Sequence, residues 1–122
     1  LLDAGKVAEV KSSKRKISLL TFAEVCRSLK EAWEGRVKRS ELKETSYYGY
    51  CDRMNAVSRE FGDRILCEIS RDEIVKYRNR IASDCSNITS NRNLFILRQI
   101  FKQGLELNAV KNDPTTAIPY LI

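Results

Sequence analysis

The sequence predicts an all-α domain built from four main helices. No segment alternates apolar and polar residues with the period of two that a half-buried strand requires. Two Ser/Thr-x-x-Glu patterns, at 21–24 and 70–73, instead indicate capping boxes at helix starts. Apolar residues recur at spacings of three and four after each of these starts, as they do on the core-facing side of a helix.

The first two helices form the N-terminal half of the predicted bundle. The first begins at Thr21, and its pattern ends near Gly35, where a basic turn follows. The second runs from Leu42 or Glu44 to Phe61, and the next residue is a glycine placed to close the helix.

The last two helices are predicted from Ser70 and from Thr89 or Ser90, with a polar loop over 84–88 between them. Asn108 can take the left-handed conformation that closes the fourth helix. The apolar stripe predicted for that helix consists of Leu94, Leu97, Ile100, Phe101, Leu105 and Leu107.

The length and charge of the chain indicate one basic domain. Its 122 residues fit a domain at 19–118 preceded by a basic leader at 1–18, and the net charge is +6. Positive charge gathers in the leader, in the turn after the first helix and in the fourth helix, a distribution typical of a polyanion-binding face. The alternative interpretation is that the charge serves solubility alone. No apolar run approaches the about 20 residues of a membrane span, so we expect no membrane partner.

The side chains needed for common catalytic sites are missing from the sequence. The chain has no histidine, which removes Ser-His and Cys-His pairs, and its five glycines do not form a phosphate-binding loop. The four cysteines, at positions 26, 51, 67 and 85, are too far apart for a zinc knuckle. We therefore expect a non-catalytic chain with no cofactor or metal, whose cysteines are reduced, core-filling thiols in a cytoplasmic protein.

Two predicted helix starts carry hydroxyls, amides and cations, which suit phosphates and base edges in a DNA groove. In one, Arg92 could bind guanine, Asn91 could pair with adenine, and Thr89 would cap the helix and touch phosphate. In the other, an exposed Tyr48 would lie beside Lys43. The alternatives are a solvated first turn for Arg92 and a tyrosine that covers a neighbouring helix. The candidate DNA-binding residues are Lys43, Thr45, Ser46, Tyr48, Arg53, Thr89, Ser90, Asn91, Arg92, Asn93, Arg98 and Lys102.

Four motifs follow one another between residues 20 and 118. They are Leu20-Thr21-Phe22-Ala23-Glu24; Ser46, Tyr50, Met54 and Gly62; Ile69-Ser70-Arg71-Asp72-Glu73-Ile74; and Thr89, Asn91, Arg92, Leu94, Leu97, Arg98 and Phe101 with Asp113-Pro114. This ordered set resembles the N-terminal core-binding (SAM-like) domain of phage integrases and other tyrosine site-specific recombinases. The sequence departs from the family pattern at Gly104, Asn108 and Asp113, where the family prefers Ala, Gly and Asn, and Lys43-Glu44 replaces the usual Ser-Pro start of the second helix.

The resemblance implies a SAM-like four-helix bundle that clamps a crossover site on double-stranded DNA for integration and recombination. Catalysis would belong to a separate C-terminal domain with an Arg, a His-x-x-Arg and a nucleophilic Tyr, and 119–122 would begin the linker to it. The other partners would be integrase protomers of the full-length protein.

Two other functions fit the same composition. A helical protein-interaction module would expose an apolar patch near Phe95, Ile118 and Leu121. A stand-alone transcriptional regulator would form a symmetric dimer that binds two half-sites.

Overall fold

A computed structural model describes residues 17–122, which form four α-helices and no named strand. The helices are α1 (Phe22–Lys38), α2 (Glu44–Phe61), α3 (Arg71–Asp84) and α4 (Asn87–Glu106), with a 3-10 turn (Leu66–Glu68) between α2 and α3. The all-α prediction is therefore confirmed for this part of the chain. Most of the predicted basic leader, including its cluster at 14–16, lies outside the described residues.

Both predicted capping boxes are present. The Thr21 hydroxyl accepts the backbone N–H of Glu24 at 3.2 Å, and the Glu24 carboxylate accepts the Thr21 N–H at 2.8 Å. Ser70 and Glu73 make the same pair of bonds at the start of α3. Each box satisfies helix-start N–H groups that have no partner inside the helix, which is why these two starts were predictable from local sequence.

The start of α4 differs from the prediction. Its N-cap is Ser86, whose side chain accepts the backbone N–H of Thr89, so the helix begins at Asn87 rather than at Thr89 or Ser90. The expected loop over 84–88 is reduced to a short connection, because Asp84 ends α3 and Asn87 begins α4. Thr89 is consequently a first-turn residue and does not cap the helix.

Helix α4 is the central helix of the bundle and packs against all three others. The apolar stripe predicted for α4 is confirmed at four residues that are all buried: Leu94, Leu97, Ile100 and Phe101. The prediction is wrong at Leu105, which is exposed; Ile96 and Gly104 are buried in addition. A helix with neighbours on three sides buries more than one stripe, so its apolar pattern is wider than that of a surface helix.

Two helices were expected to end with a residue in the left-handed conformation, and the structure shows this for one of them. Asn108 has a φ of 58°, as predicted, one residue beyond the C-cap Leu107 of α4, and its carbonyl accepts the Ser18 N–H at 2.8 Å. Gly62, by contrast, keeps right-handed angles at the end of α2, so the expected left-handed closure does not occur there.

Two further expectations can be compared with the described residues. Cys26 is buried, and burial raises the pKa of its thiol to about 11. Cys67 and Cys85 are exposed, so the expectation that all the cysteines fill the core is wrong. None of the four helices in residues 17–122 combines the length and apolarity that crossing a bilayer requires.

Candidate nucleic-acid interface

The α2–α4 groove is an open cleft of about 530 Å³ between the N-terminal halves of these helices. Residues at spacings of three and four on each helix form its walls, so one face of each helix is presented to the cleft. The groove is lined by Ser46, Gly49, Tyr50, Asp52, Arg53, Thr89, Arg92, Phe95 and Ile96. It therefore brings together four of the residues chosen from the sequence, Ser46, Arg53, Thr89 and Arg92.

Arg92 supplies the accessible positive charge of the groove. Its side chain is exposed and makes no hydrogen bond or ion pair with another described residue. Asp52 is the one carboxylate among the described residues that line the groove, against the two guanidinium groups of Arg53 and Arg92. The groove thus has a net positive lining.

Aromatic side chains form the floor of the groove. The Tyr50 and Phe95 rings lie 5.8 Å apart, and Tyr50 also packs on Trp33 of α1 with a centroid separation of 5.2 Å. Phe95 remains 37% exposed, so part of its ring is accessible in the groove. These contacts connect the floor to the α1–α2 packing and hold the two walls at a fixed separation.

A buried polar network fixes Arg53 in place. The Arg53 Nη1 donates to Asn93 Oδ1 at 3.3 Å, and the Asn93 Nδ2 donates to the Tyr77 hydroxyl at 3.0 Å. Burial raises the pKa of Tyr77, and the Asn93 hydrogen bond opposes that shift. Because Asn93 links α3 to a half-buried arginine of α2, Arg53 is oriented before any ligand arrives.

A second cleft, the α3 recess, adjoins the groove. It measures about 470 Å³ and shares Arg53 and Thr89 with the groove. It is lined by Arg53, Ala56, Arg59, Glu60, Tyr77, Arg80, Ile81, Cys85, Thr89 and Asn93. Arg80 pairs with Glu60 at 2.6 Å and lies 5.4 Å from the Tyr77 ring centroid, whereas Arg59 is exposed with no partner among residues 17–122. The two clefts together present four arginines and two carboxylates.

The start of α2 adjoins the groove at Ser46 and forms a lip whose other residues do not line the cleft itself. Tyr47 faces α1, where its hydroxyl donates to Glu34 Oε2 at 2.6 Å, a bond that raises the pKa of the phenol. Tyr48 is 60% exposed, as expected for the second of two adjacent helical tyrosines. Lys43 and Thr45 are exposed beside it, and the Lys43 side chain makes no capping bond.

Two candidate residues prove to be buried. Ser90 is 1% exposed and its hydroxyl donates to the Arg78 carbonyl at 2.7 Å, while Asn93 is 3% exposed within the network described above. The expectation that both lie on an exposed helix tip is wrong. The reason is that each lies four residues before a core residue of α4, Leu94 or Leu97, so both continue the face that α4 buries, and their polar groups bond to α3.

The side chains of two further candidates are bonded to the segment at 118–121 and are not free in solvent. The Asn91 side chain is bonded to the backbone of Leu121. Arg98 donates to the Ile118 carbonyl, and its guanidinium lies 4.3 Å from the Tyr120 ring centroid. Lys102 stays exposed beside this segment. In the predicted tip at 89–93, Arg92 is thus the residue whose side chain is exposed and has no hydrogen-bond or ion-pair partner among the described residues.

Sequence reasoning did not single out Arg59, Arg80 or Gly49. A signal existed for the first, because Arg59 follows Arg53 and Ala56 at successive spacings of three, which places them on adjacent positions of one helix face. Nothing in the local sequence indicates that Arg80 of α3 approaches that face, since the contact depends on how α2, α3 and α4 pack.

The apolar patch that would indicate a protein-interaction module is not formed as expected. Ile118 is fully buried and Leu121 is half-buried, so Phe95 is the one residue of the three that is exposed. Within residues 17–122, no group of three or more Cys, Asp or Glu side chains could hold a metal ion.

The groove and the recess are therefore the features from which a function can be argued. Both lie at the junction of α2 and α4, and both are lined by arginine. Comparison with protein-family models, with curated proteins and with solved structures found no significant match to this chain.

Proposed function

We propose that this domain binds double-stranded DNA through the α2–α4 groove and the α3 recess. The observation that carries the proposal is Arg92, an exposed guanidinium on the wall of a groove with no partner among the described residues. A side chain of this kind, next to the hydroxyls of Ser46 and Thr89, can donate to phosphate oxygens or to the acceptor edge of guanine.

The charge around the two clefts supports a polyanionic ligand. Arg59 and Arg92 have no carboxylate partner in the described part of the chain, and Arg53 is hydrogen-bonded to a neutral amide. Only Arg80 is neutralised directly, by Glu60. When arginines neutralise DNA phosphates, the counterions condensed on the DNA are released, which is the main source of non-specific affinity for DNA.

The lip formed by α2 supplies further contacts. Lys43 and Thr45 would reach one strand, and Tyr48 would pack on the sugar-phosphate backbone. Lys102 lies further along α4 and would add a flanking phosphate contact. Ser90 and Asn93 have no part in this surface, because both are buried.

We further propose that the domain is a non-catalytic core-binding domain of a tyrosine recombinase. This part rests on the ordered resemblance between residues 20 and 118, to which the four-helix architecture adds support at the level of fold class. The coding sequence after Ile122 tests it. A His-x-x-Arg motif and a late tyrosine there would support the proposal, whereas a stop codon directly after Ile122 would overturn it.

The binding proposal is tested by measuring affinity for duplex DNA across a series of salt concentrations. We expect affinity to fall steeply with salt, with a slope of about −0.9 per phosphate contact on a log–log plot. Absence of binding at low salt, or a flat response, would contradict the proposal.

Arg92→Gln and Lys111→Gln form a matched pair for this experiment. Each removes one positive charge, but Lys111 follows α4 at its other end, away from the groove. We expect Arg92→Gln to reduce the salt slope by about 1 and Lys111→Gln to change it little. Equal effects of the two substitutions would mean that net charge, and not the groove, determines the binding.

The same variant separates the two roles of Arg92. If its guanidinium binds phosphate, Arg92→Gln weakens all sequences alike; if it binds guanine, preference at one base pair is relaxed. A selection from random duplexes with both proteins distinguishes these results.

A further inference from the structure

Gly49 lies inside α2 at a position where neither packing nor backbone conformation in the described residues requires a glycine. A methyl group added at this position would have no heavy atom within 4 Å, and its φ is not in the left-handed region. Glycine in a helix interior is less stable than alanine because the unfolded chain has more freedom to lose. The glycine therefore weakens α2 without a packing or conformational reason in residues 17–122.

The other helical glycines differ in this respect. At Gly104 an added methyl group would lie 2.4 Å from the Leu66 Cδ2, so close packing requires a glycine. At Gly35, in α1, it would lie 3.3 Å from Nη1 at the end of the Arg39 side chain. Gly49 is thus the helical glycine that faces open space.

The open space at Gly49 is the α2–α4 groove. Ser46 precedes Gly49 by three residues and Arg53 follows it by four, so the three lie on one face of α2. Arg92 lines the same groove from α4. The bare helix surface consequently lines the same groove as two guanidinium groups, where a ligand that carries phosphates would gain from a close approach.

We propose that Gly49 is the point at which the sugar-phosphate backbone of bound DNA comes closest to α2. Because Gly49 has no side chain, the DNA backbone can approach α2 closely. Arg53 and Arg92 then reach phosphates on either side of this point of contact. This inference rests on the DNA-binding function proposed above and identifies the residue that sets the depth of binding.

The test uses Gly49→Ala and Gly49→Leu in the full 122-residue chain, with Gly35→Ala as the matched control. Both Gly49 variants replace glycine by a better helix former, and Gly49→Ala should raise the melting temperature because its methyl group would meet no heavy atom within 4 Å. Their affinity for duplex DNA should fall, about tenfold for alanine and about a hundredfold for leucine, as expected for increasing overpacking. Gly35→Ala should leave affinity unchanged.

The possible results separate this inference from the proposed function. If Gly49→Ala and Gly49→Leu bind as tightly as the unmodified chain while Arg92→Gln is weakened, the DNA-binding function stands and the role of Gly49 is wrong. If Gly35→Ala weakens binding as much as Gly49→Ala, helix propensity explains both and the inference is overturned. If the unmodified chain does not bind DNA at low salt, both proposals fail.

Discussion

Asn91 and Leu121 form a reciprocal pair of hydrogen bonds. The Asn91 Nδ2 donates to the Leu121 carbonyl at 2.7 Å, and the Leu121 N–H donates to Asn91 Oδ1 at 2.8 Å. One side-chain amide thereby satisfies both backbone groups of a residue that has no helix or strand neighbour to do so. Arg78 and Asn87 extend the arrangement by donating to the Pro119 and Ile122 carbonyls, each at 2.8 Å. The C-terminal segment therefore has a defined path along α3 and α4.

The first prediction concerns this pair. Asn91→Ala removes both hydrogen bonds, and we expect the free energy of unfolding to fall by about 1–2 kcal/mol in urea denaturation. Asn87→Ala is the control, because it removes one bond at an exposed site and should cost less. DNA affinity should be unchanged, since Asn91 does not line the α2–α4 groove. A large loss of affinity at undiminished stability would show instead that Asn91 contacts bases.

The second prediction concerns the network of Tyr77, Asn93 and Arg53. Tyr77→Phe leaves the buried Asn93 Nδ2 without its acceptor at 3.0 Å, and we expect a cost of about 1–3 kcal/mol in the free energy of unfolding. The double variant Tyr77→Phe/Asn93→Leu should cost less than the sum of the two single changes, because no orphaned polar group remains between them. Additive costs would mean that the hydrogen bond contributes nothing specific.

The third prediction concerns Gly104. A methyl group at this position would lie 2.4 Å from the Leu66 Cδ2 and 3.5 Å from the Val110 Cγ2, in a buried site. We expect Gly104→Ala to lower the free energy of unfolding by about 1–3 kcal/mol. Adding Leu66→Val should restore part of the loss, because the shorter side chain makes room for the methyl group. If Gly104→Ala raises the melting temperature, the close approach of α4 to the 3-10 turn is wrong.

The parts of the fold that could be predicted are those fixed by local chemistry. Thr21 and Ser70 start helices because each has a glutamate three residues later that completes a capping box. Asn108 adopts its left-handed conformation for a similarly local reason, since asparagine tolerates positive φ better than most residues. Tertiary packing was not needed for any of these assignments.

The start of α4 could not be predicted in this way, because both Ser86 and Thr89 are suitable N-cap residues. The structure uses Ser86, and the added turn places Asn87 where its amide donates to the carbonyl of Ile122, a tertiary contact that the local sequence does not reveal. The same dependence explains the candidate site. Arg92 could be chosen from its helix position, but Arg80 joins Arg53 and Arg59 only because α3 packs beside α2 and α4.

The fourth prediction concerns acid stability and Glu73. Its carboxylate accepts from Arg64 Nη1 at 2.7 Å and from the Ser70 N–H at 2.9 Å. The Arg64 bond first, and then the Ser70 bond, lower the pKa of Glu73 to about 2. Because the folded-state pKa is depressed, the stabilisation is complete above the ordinary glutamate range and is lost as pH falls from about 5 towards 2.

Glu73→Gln tests this linkage, because glutamine can still accept the Ser70 N–H in a capping box but carries no charge for Arg64. The ion pair is partly exposed, so we expect the variant to be less stable at pH 7 by at most about 1 kcal/mol. The two stabilities should converge as pH is lowered to about 2, where the wild-type carboxylate becomes protonated. Glu24→Gln is the matched control, since that glutamate closes the capping box of α1 without an arginine partner in the described part of the chain. A Glu73→Gln deficit that stays constant from pH 7 to pH 2 would assign the loss to the cap and not to the charge.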